Sequence, residues 1–309
     1  MPERELVVLG TSSQVPTRTR AHHGALLRWD RHGILLDPGE GTQRQMLFAG
    51  VSSSAVTHVC ITHAHGDHCL GLAGVLQRLS LDGVEHVVEV HFPAAALPFI
   101  ERLRHAASYQ DRTPVRLHAD APGVVAETGQ LELRAVELSH RIPTLGWRFE
   151  EPEGRTLVPQ WLEEAGVHGP ARSELQHHGR VRVGGRTIHV DEMSVARPGQ
   201  AFAFVMDTRW CEGALELATG VDLLVIEATF RESERDLAEV AGHLTAAQAA
   251  RIAHQAGARK VVLTHFSQRY DDVTGHLEEA RRAAPGLDLA VAADLDRIAV
   301  PPRTGGAGS

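Results

Sequence analysis

The chain contains the hexapeptide His63-Ala64-His65-Gly66-Asp67-His68, set between an apolar run and an amphipathic segment. The apolar run, Val59-Cys60-Ile61-Thr62, is typical of the end of a buried strand, which we predict over residues 57–62. The apolar residues that follow have the spacing of a helix, which we predict over Cys69–Leu81. Three imidazoles and one carboxylate therefore share a tight strand-to-helix loop, a position that often carries binding groups.

These side chains are metal ligands by type. Neutral imidazole is the commonest metal ligand in proteins, and aspartate adds a hard oxygen. They are more than one ion would take from so short a loop. Two neighbouring divalent ions, each completed by residues from elsewhere in the chain, fit the ligand types better. The alternative is a polar surface loop that happens to contain three histidines, but the flanking strand and helix favour the metal site.

The His-x-His-x-Asp-His spacing resembles the signature of the metallo-β-lactamase superfamily. Segments 10–20 and 36–45 are similar to the opening of the ribonuclease Z family, whose members trim the 3′ ends of precursor tRNA. Segment 263–270 matches the last motif of that family, and the resemblance runs from about Leu6 to about Val300. It implies an α/β fold, a four-layer αββα metallo-β-lactamase sandwich with metal ions at one rim of its two sheets. Alternating strands and helices along the chain agree with such layers.

Composition narrows the class of protein further. The chain has 309 residues, 43% of them hydrophobic, and no run of about 18 apolar residues that would predict a transmembrane helix. The charged first residues do not resemble a signal peptide, and three cysteines without paired spacing do not suggest disulfides. We therefore expect a cytoplasmic protein. The net charge of −8 disfavours general nucleic-acid binding, so an RNA substrate would need a local basic patch.

The domain organisation follows from a change of character near residue 150. We predict a catalytic domain over 1–300 with an insertion at about 150–199, a span rich in Gly, Pro and charge with weak periodicity. The Gly- and Pro-rich segment 301–309 is predicted to be a disordered tail. Thr245-Ala246-Ala247-Gln248 is a capping-box pattern, which predicts a helix that continues to Ala256.

Three further residues at predicted strand ends can complete the metal site: His140, Asp207 and His265. Each alone is more often a structural residue than a ligand, but strand ends that converge at one rim would bring them together. The resemblance implies two zinc ions per chain, although manganese or iron could occupy such a site. In that scheme one ion is bound by His63, His65 and His140, the other by Asp67, His68 and His265, and Asp207 bridges them.

The resemblance also implies catalytic roles. Asp67 would accept a proton from the attacking water besides binding metal. His243, just before a predicted helix N-terminus, would donate a proton to the departing 3′ oxygen, unless it is only a surface residue near a cap. Glu227 is expected to support the ligands without contacting metal.

The metal site alone does not select a substrate. Arg18 and Arg20 lie in a loop that resembles the family segment sensing the RNA 3′ end, although Arg18 and Ala21 stand where the family commonly has Lys and Asn. Residues 162–170, including Gly169 and Pro170, resemble the flexible arm with which the family grips tRNA. The arm is not strongly basic, so a solvated insertion is the alternative.

We expect an endoribonuclease that cuts precursor tRNA on its 3′ side, leaving a 3′-hydroxyl on the tRNA and a 5′-phosphate on the trailer. The resemblance further implies a homodimer, with no membrane association and no organic cofactor. One rival is a small-molecule phosphodiesterase or arylsulfatase-like metallohydrolase of the same fold, which would lack the arm. Another is a catalytically silent homologue, against which the full set of ligand-type residues argues.

Overall fold

A computed structural model describes residues 4–128 and 130–303. Of the tail predicted at 301–309, residues 304–309 lie outside the described residues. The strands are β1 (Glu5–Gly10), β2 (Gly24–Trp29), β3 (His32–Leu36), β4 (His58–Cys60), β5 (Val88–Pro93), β6 (Val115–Asp120), β7 (Gly123–Thr128), β8 (Leu131–Leu138), β9 (Thr144–Glu150), β10 (Gly154–Leu157), β11 (Arg180–Val183), β12 (Arg186–His189), β13 (Ser194–Arg197), β14 (Ala201–Val205), β15 (Leu223–Glu227), β16 (Lys260–Thr264), β17 (Asp288–Val291) and β18 (Arg297–Ala299). The α-helices are α1 (Thr42–Phe48), α2 (Gly66–Cys69), α3 (Leu72–Leu81), α4 (Leu97–Arg104), α5 (Pro159–Glu164), α6 (Pro170–His178), α7 (Glu212–Ala218), α8 (Arg235–Ala241), α9 (Ala246–Gln255) and α10 (Thr274–Ala283).

Two seven-stranded sheets form the body of the protein, in the orders β18-β1-β2-β3-β4-β5-β6 and β17-β16-β15-β14-β9-β8-β7. Side chains alternate across each strand, so one face of a sheet packs on the other sheet and the opposite face packs on helices. In β1, Leu6 and Val8 belong to the core between the sheets, whereas Val7 and Leu9 pack in the core that contains α3 residues. The core between the sheets also contains large aromatic side chains: Trp29, Trp147, Phe149, Phe202 and Phe204.

Strand direction determines where the polar loops lie. In the second sheet β14, β15 and β16 are parallel, and β8 runs the same way because β9 is antiparallel to both β8 and β14. In the first sheet β3, β4, β5 and β6 are parallel. The segments that follow β4, β8, β14 and β16 contain every residue predicted to bind metal.

Local contacts explain where the helices begin and end. The predicted capping box of α9 is confirmed: Gln248 N donates to Thr245 Oγ1 (3.2 Å) and Thr245 N donates to Gln248 Oε1 (2.9 Å). The helix predicted over 69–81 is instead divided into α2 and α3. The chain is redirected at Gly71, whose N–H donates to Pro38 O (2.8 Å), and a Cβ there would lie 2.0 Å from Gly39 O. Only glycine permits that approach of two backbones.

The inserted segment leaves the body between β9 and β14, which are neighbours in the second sheet. We call residues 154–197 the arm. Its strands pair as β10 with β13 and β11 with β12, and α5 and α6 complete it. Five buried apolar side chains form its own small core: Leu162, Val167, Leu175, Val181 and Ile188. The segment therefore contains regular secondary structure, which its composition and weak periodicity did not predict.

No helix in the described part of the chain is both long enough and apolar enough to span a bilayer.

Candidate active site

Strand ends from both sheets bring the predicted metal-binding side chains together. The donor atoms of His63, His65, His140 and Asp207 lie within 4.8 Å of one another. A second set within the same limit consists of Asp67, His68 and His265. Residues more than 200 positions apart in the sequence, such as His63 and His265, thus meet at one rim.

The first set converges on one carboxylate oxygen of Asp207. His63 Nε2 lies 3.4 Å and His140 Nε2 lies 3.7 Å from Asp207 Oδ2. His65 presents its Nδ1, which lies 2.8 Å from His63 Nε2 and 3.4 Å from His140 Nε2. Three imidazole nitrogens and a carboxylate oxygen therefore surround one position, which suits a divalent transition metal.

The second set converges on the other oxygen of Asp207. His68 Nε2 and His265 Nε2 lie 3.4 Å and 3.3 Å from Asp207 Oδ1. The same two nitrogens lie 3.4 Å and 3.6 Å from Asp67 Oδ2. Asp207 thus presents one oxygen to each set, the arrangement of a bridging carboxylate.

The surroundings of Asp207 Oδ1 indicate whether the site would accept a cation. This atom is buried, and it has no hydrogen-bond partner among the described residues. A buried carboxylate oxygen without a donor is costly, and a cation held beside it would remove that cost. The donor set and this unsatisfied oxygen both fit bound metal.

Hydrogen bonds fix the orientation of the imidazoles. His68 Nδ1 donates to Asp37 Oδ2 (2.8 Å), and His140 Nδ1 donates to the carbonyl oxygen of Gly242 (2.7 Å). His265 Nδ1 donates to Thr229 Oγ1 (2.9 Å). In each ring the Nδ1 proton is used in this way, so the Nε2 lone pair points to the site.

Asp37 is a functional residue that sequence reasoning missed. Besides holding His68, it accepts hydrogen bonds from Thr62 N (2.6 Å) and Thr62 Oγ1 (2.7 Å), and that hydroxyl lies 3.0 Å from His63 Nδ1. One buried carboxylate therefore orients an imidazole of each set. The available signal was an aspartate that follows the apolar run Ile34-Leu35-Leu36 and directly precedes Pro38-Gly39.

Backbone strain is concentrated at this rim. Asp37, Asp207 and His265 have φ values of 43°, 49° and 62°, in the left-handed region that favours glycine. Each such residue costs on the order of 1–3 kcal/mol. These strand ends turn abruptly, and the turns direct the carboxylates and the imidazole into the site.

The pKa shifts of the first set suit metal binding, whereas in the second set Asp207, Asp67 and Asp37 raise the pKa of His68 well above its usual range against the effect of burial. Burial lowers the pKa of His65 and of His140 to about 4, so both imidazoles are neutral at neutral pH and can bind metal. Burial raises the pKa of Asp207, but the nearby histidines, led by His265 and His68, hold it well below its usual range. Asp67 is likewise held ionised by His68 and His265 against the effect of burial.

His243 is placed differently from the ligand histidines. Its Nδ1 donates to Oε1 of the fully buried Glu227 (3.1 Å) and lies 4.0 Å from Asp207 Oδ1. Burial lowers the pKa of His243, but Glu227 and Asp207 outweigh burial and raise it to about 9. This pKa favours an imidazolium at neutral pH, and its Nε2 has no hydrogen-bond partner in residues 4–128 and 130–303. The donor atoms of His243, Asp207 and His265 also lie within 4.8 Å of one another.

Glu227 is held in turn by two further donors. Thr208 N donates to its Oε1 (2.7 Å), and Thr229 Oγ1 donates to its Oε2 (2.6 Å). Because Thr229 also accepts from His265, the carboxylate links the proton-donor candidate to the ligand network.

Three of the proposed ligands, His65, Asp67 and Asp207, lie at the floor of an open cleft. Its walls include side chains from several loops: Ser13, Gln14, Arg141, Phe230, Leu237, Gln268 and Arg269.

The residues predicted to bind substrate lie in different surroundings. Arg18 is exposed, and no ion pair of it is found in residues 4–128 and 130–303. Arg20 donates instead to the carbonyl oxygens of Ser267 (3.2 Å) and Tyr270 (2.7 Å), which fastens its loop to the segment after β16. Gly169 and Pro170 lie at the start of α6 in the arm.

Comparison with known proteins identifies the family. A family model described as the metallo-beta-lactamase superfamily matches residues 23–159, and one described as a beta-lactamase superfamily domain matches residues 170–266. Ribonuclease Z of Nocardia farcinica is 53% identical over 305 residues, which cover 98% of this chain and 100% of that protein. The chain belongs to the ribonuclease Z family. Ribonuclease Z of Streptomyces coelicolor is 52% identical over 306 residues, with 98% and 100% of the two chains covered.

A solved structure supports the fold. The crystal structure of human tRNase Z, short form, superposes with a TM-score of 0.70 at 24% identity and covers 96% of this chain and 100% of that one. The predicted metallo-β-lactamase sandwich is therefore confirmed.

Membership of the ribonuclease Z family makes the chain a hydrolase and an endoribonuclease, as predicted. It disfavours the small-molecule metallohydrolase as the function. The fold and the two clusters of His and Asp further indicate a metal-binding protein.

Proposed function

We propose that the chain cuts precursor tRNA on its 3′ side, leaving a 3′-hydroxyl on the tRNA and a 5′-phosphate on the trailer. The observation that carries this proposal is the arrangement of two metal-binding sets around Asp207, with the His243 imidazolium beside them, in a member of the ribonuclease Z family.

The proposed cofactor is a pair of zinc ions per chain. His63, His65 and His140 would hold one ion, and Asp67, His68 and His265 the other, with Asp207 between them. Such ions lower the pKa of water and neutralise charge on a phosphodiester. Manganese and iron accept similar ligands, so the metal content of the purified protein, measured by plasma mass spectrometry, tests this assignment.

The protein side chains handle the protons. Asp67 is ionised and lies at the floor of the cleft, where it can accept the proton that the attacking water loses. His243 can supply a proton to the 3′ oxygen that leaves. Its Nδ1–H is engaged by Glu227, so Nε2 is the donating atom.

We propose that the arm contacts the body of the tRNA away from the cut. Arg172, Arg180 and Arg182 are exposed, and none of their guanidinium groups has a hydrogen bond or an ion pair among the residues that the structure describes. Several arm and near-arm acids are engaged instead: Glu192 pairs with Arg186, and Glu151 pairs with Arg4 and Arg197. Three exposed acids of the arm, Glu163, Glu164 and Glu174, are likewise unpaired among the described residues. The proposed phosphate contacts therefore depend on where the three arginines lie and not on a net positive charge of the arm.

We further propose a cytoplasmic homodimer. Leu47 and Phe48 at the end of α1 are 61% and 55% exposed and adjoin a cavity lined by Met46, Val51 and Val75, an apolar surface that a second copy would cover. Cys60, Cys69 and Cys211 are all free thiols, as suits a reducing compartment. Light scattering of the wild type and of Phe48→Glu tests the dimer, which the charge should dissociate.

One experiment tests the proposed reaction. The zinc-loaded protein and its Asp67→Ala variant are incubated with a precursor tRNA that carries a 3′ trailer, and the new ends are mapped. Cleavage after the discriminator base or after the CCA, abolished in the variant, is the expected result. Intact RNA together with turnover of a generic phosphodiester would contradict the proposal and favour a small-molecule substrate.

A further inference from the structure

Arg141 follows a candidate metal ligand directly and lines the wall of the cleft. Its side chain is exposed, and it makes no hydrogen bond or ion pair within residues 4–128 and 130–303. The two residues before it are held in place: His140 Nδ1 donates to Gly242 O (2.7 Å), and Ser139 N donates to Thr208 Oγ1 (3.1 Å). A Cβ on Gly242 would lie 3.5 Å from Arg141 Cγ, so the stem of the arginine also runs close to that residue.

Other arginines around the cleft are engaged. Arg269 Nη1 pairs with Glu234 Oε1 (2.7 Å), and its guanidinium lies over the ring of Phe230. Arg20 is held by carbonyl oxygens of the segment after β16. Arg209 donates to Glu239 O (2.8 Å). These guanidinium groups fasten loops to one another, whereas that of Arg141 does not stabilise the fold through any polar contact within residues 4–128 and 130–303.

An uncommitted guanidinium beside a metal site suits an anionic ligand. Arginine binds phosphate through two parallel hydrogen bonds and remains charged at every accessible pH. The reacting phosphodiester would lie at the floor, over the buried Asp67 and Asp207, whereas the Arg141 side chain is exposed at the rim. The exposure of Arg141, in contrast to the burial of these carboxylates, favours contact with a different phosphate of the same strand.

We propose that Arg141 binds the backbone phosphate adjacent to the scissile one, and thereby favours a polynucleotide over a single phosphodiester. This inference rests on the proposed cleavage of precursor tRNA. Arg141 thus selects the substrate, a role distinct from metal binding and from proton transfer.

The chain offers a matched control. Arg31 is also exposed without an ion pair in the described parts of the chain, and it lies in the turn between β2 and β3. Asp37, which supports the ligands, follows the opposite end of β3. Arg31→Ala therefore removes the same charge far from the cleft.

The first measurement compares two substrates. For precursor tRNA, Arg141→Ala should lower kcat/KM about ten- to a hundredfold, the usual effect of losing a charged hydrogen-bonding partner. For bis(p-nitrophenyl) phosphate, which has one phosphate, the change should stay within about threefold, because the adjacent phosphate is missing. Arg141→Lys should recover part of the loss, since lysine keeps the charge without the bidentate geometry. Arg31→Ala should match the wild type on both substrates.

Salt dependence and substrate modification give readouts that a merely structural role would not change. The slope of log kcat/KM against log salt should become shallower by about 0.7 in Arg141→Ala, as for one lost single-strand phosphate contact. A neutral methylphosphonate placed at one linkage flanking the cut should slow the wild type, and should slow Arg141→Ala no further. That non-additivity identifies the contacted phosphate.

Two results would overturn the assignment of Arg141. One is an equal loss on both substrates, which would indicate a role in the fold or at the scissile phosphate. The other is full additivity of the variant with the methylphosphonate at both flanking linkages. Absence of precursor cleavage by the wild type would instead overturn the proposed function, and this inference with it.

Discussion

Replacement of His243 by alanine should separate proton donation from metal chemistry. The leaving 3′ oxygen of RNA is strongly basic and needs a proton as its bond to phosphorus breaks. A p-nitrophenolate ion leaves without one. His243 Nδ1 lies 3.1 Å from Glu227 Oε1, and this carboxylate together with Asp207 raises the pKa of the imidazole to about 9, which suits a proton donor.

The expected magnitude follows from that difference. General-acid catalysis contributes about 10²–10⁴-fold. On precursor tRNA His243→Ala should therefore lose a factor in that range, or roughly 3–5 kcal/mol of transition-state stabilisation. On bis(p-nitrophenyl) phosphate the loss should stay below about tenfold, because the departing group needs no acid.

The assay is single-turnover cleavage at saturating enzyme, so that binding and product release do not mask the chemical step. Metal content is measured on the same preparations. This control matters because His243 lies within 4.8 Å of donor atoms of Asp207 and His265, so its loss could also disturb the metal. Equal losses on the two substrates at unchanged metal content would refute the proton-donor role, and His243 would then serve to hold the carboxylates around it.

Three further changes test the network around the ligands. Glu227→Gln removes a carboxylate that raises the pKa of His243. In the proposed mechanism the imidazolium is the active form, so activity falls as pH rises through its pKa, and the alkaline limb of the pH–rate profile should move about 1–3 units to lower pH. Asp37→Ala leaves His68 without its acceptor, so zinc affinity, measured by chelator competition, should fall about 10–100-fold. Removal of metal leaves the buried Asp207 Oδ1 unpaired, so the urea midpoint of unfolding should fall. The free energy of unfolding should drop by about 4 kcal/mol relative to protein with metal at roughly 1,000 times its Kd.

Each of these has a clear contrary outcome. An alkaline limb that does not move in Glu227→Gln would show that His243 is not the titrating acid. Unchanged zinc affinity in Asp37→Ala would mean that packing alone orients His68. Superimposable unfolding curves with and without chelator would show that metal does not contribute to the stability of the native state.

Local sequence predicted the parts of the site that local forces build. The strand end before His265 was correctly predicted. Every residue of β16 except Lys260 is buried, and a parallel strand covered on both faces consists of consecutive apolar residues. The helix that begins after Thr245 was likewise predictable, since its cap is formed by residues three positions apart.

Long-range contacts explain where prediction failed. The strand predicted over 57–62 is observed only as β4, and Thr62 N bonds to the side chain of Asp37 rather than to a neighbouring strand. The hydrogen bonds of Arg20 to carbonyl oxygens about 250 residues away could not be predicted from its loop, and its assignment to substrate stays a prediction. The arm was missed as regular structure because its small core spreads five side chains over short elements that show no common period.

The hexapeptide could be predicted from local sequence, whereas the other proposed metal ligands depend on long-range contacts. His63, His65 and His68 are recognisable from spacing, because one loop carries them all. Asp207 and His265 are recognisable only as strand ends, and both adopt left-handed backbone conformations that local preference disfavours. Their placement therefore depends on the stacked sheets, which hold each strand end rigidly enough to keep that strain. The rigid strand ends also hold Asp207 Oδ1 buried, close to two imidazoles and without a hydrogen bond. This arrangement is unfavourable by itself, and a cation bound beside the oxygen would make it favourable.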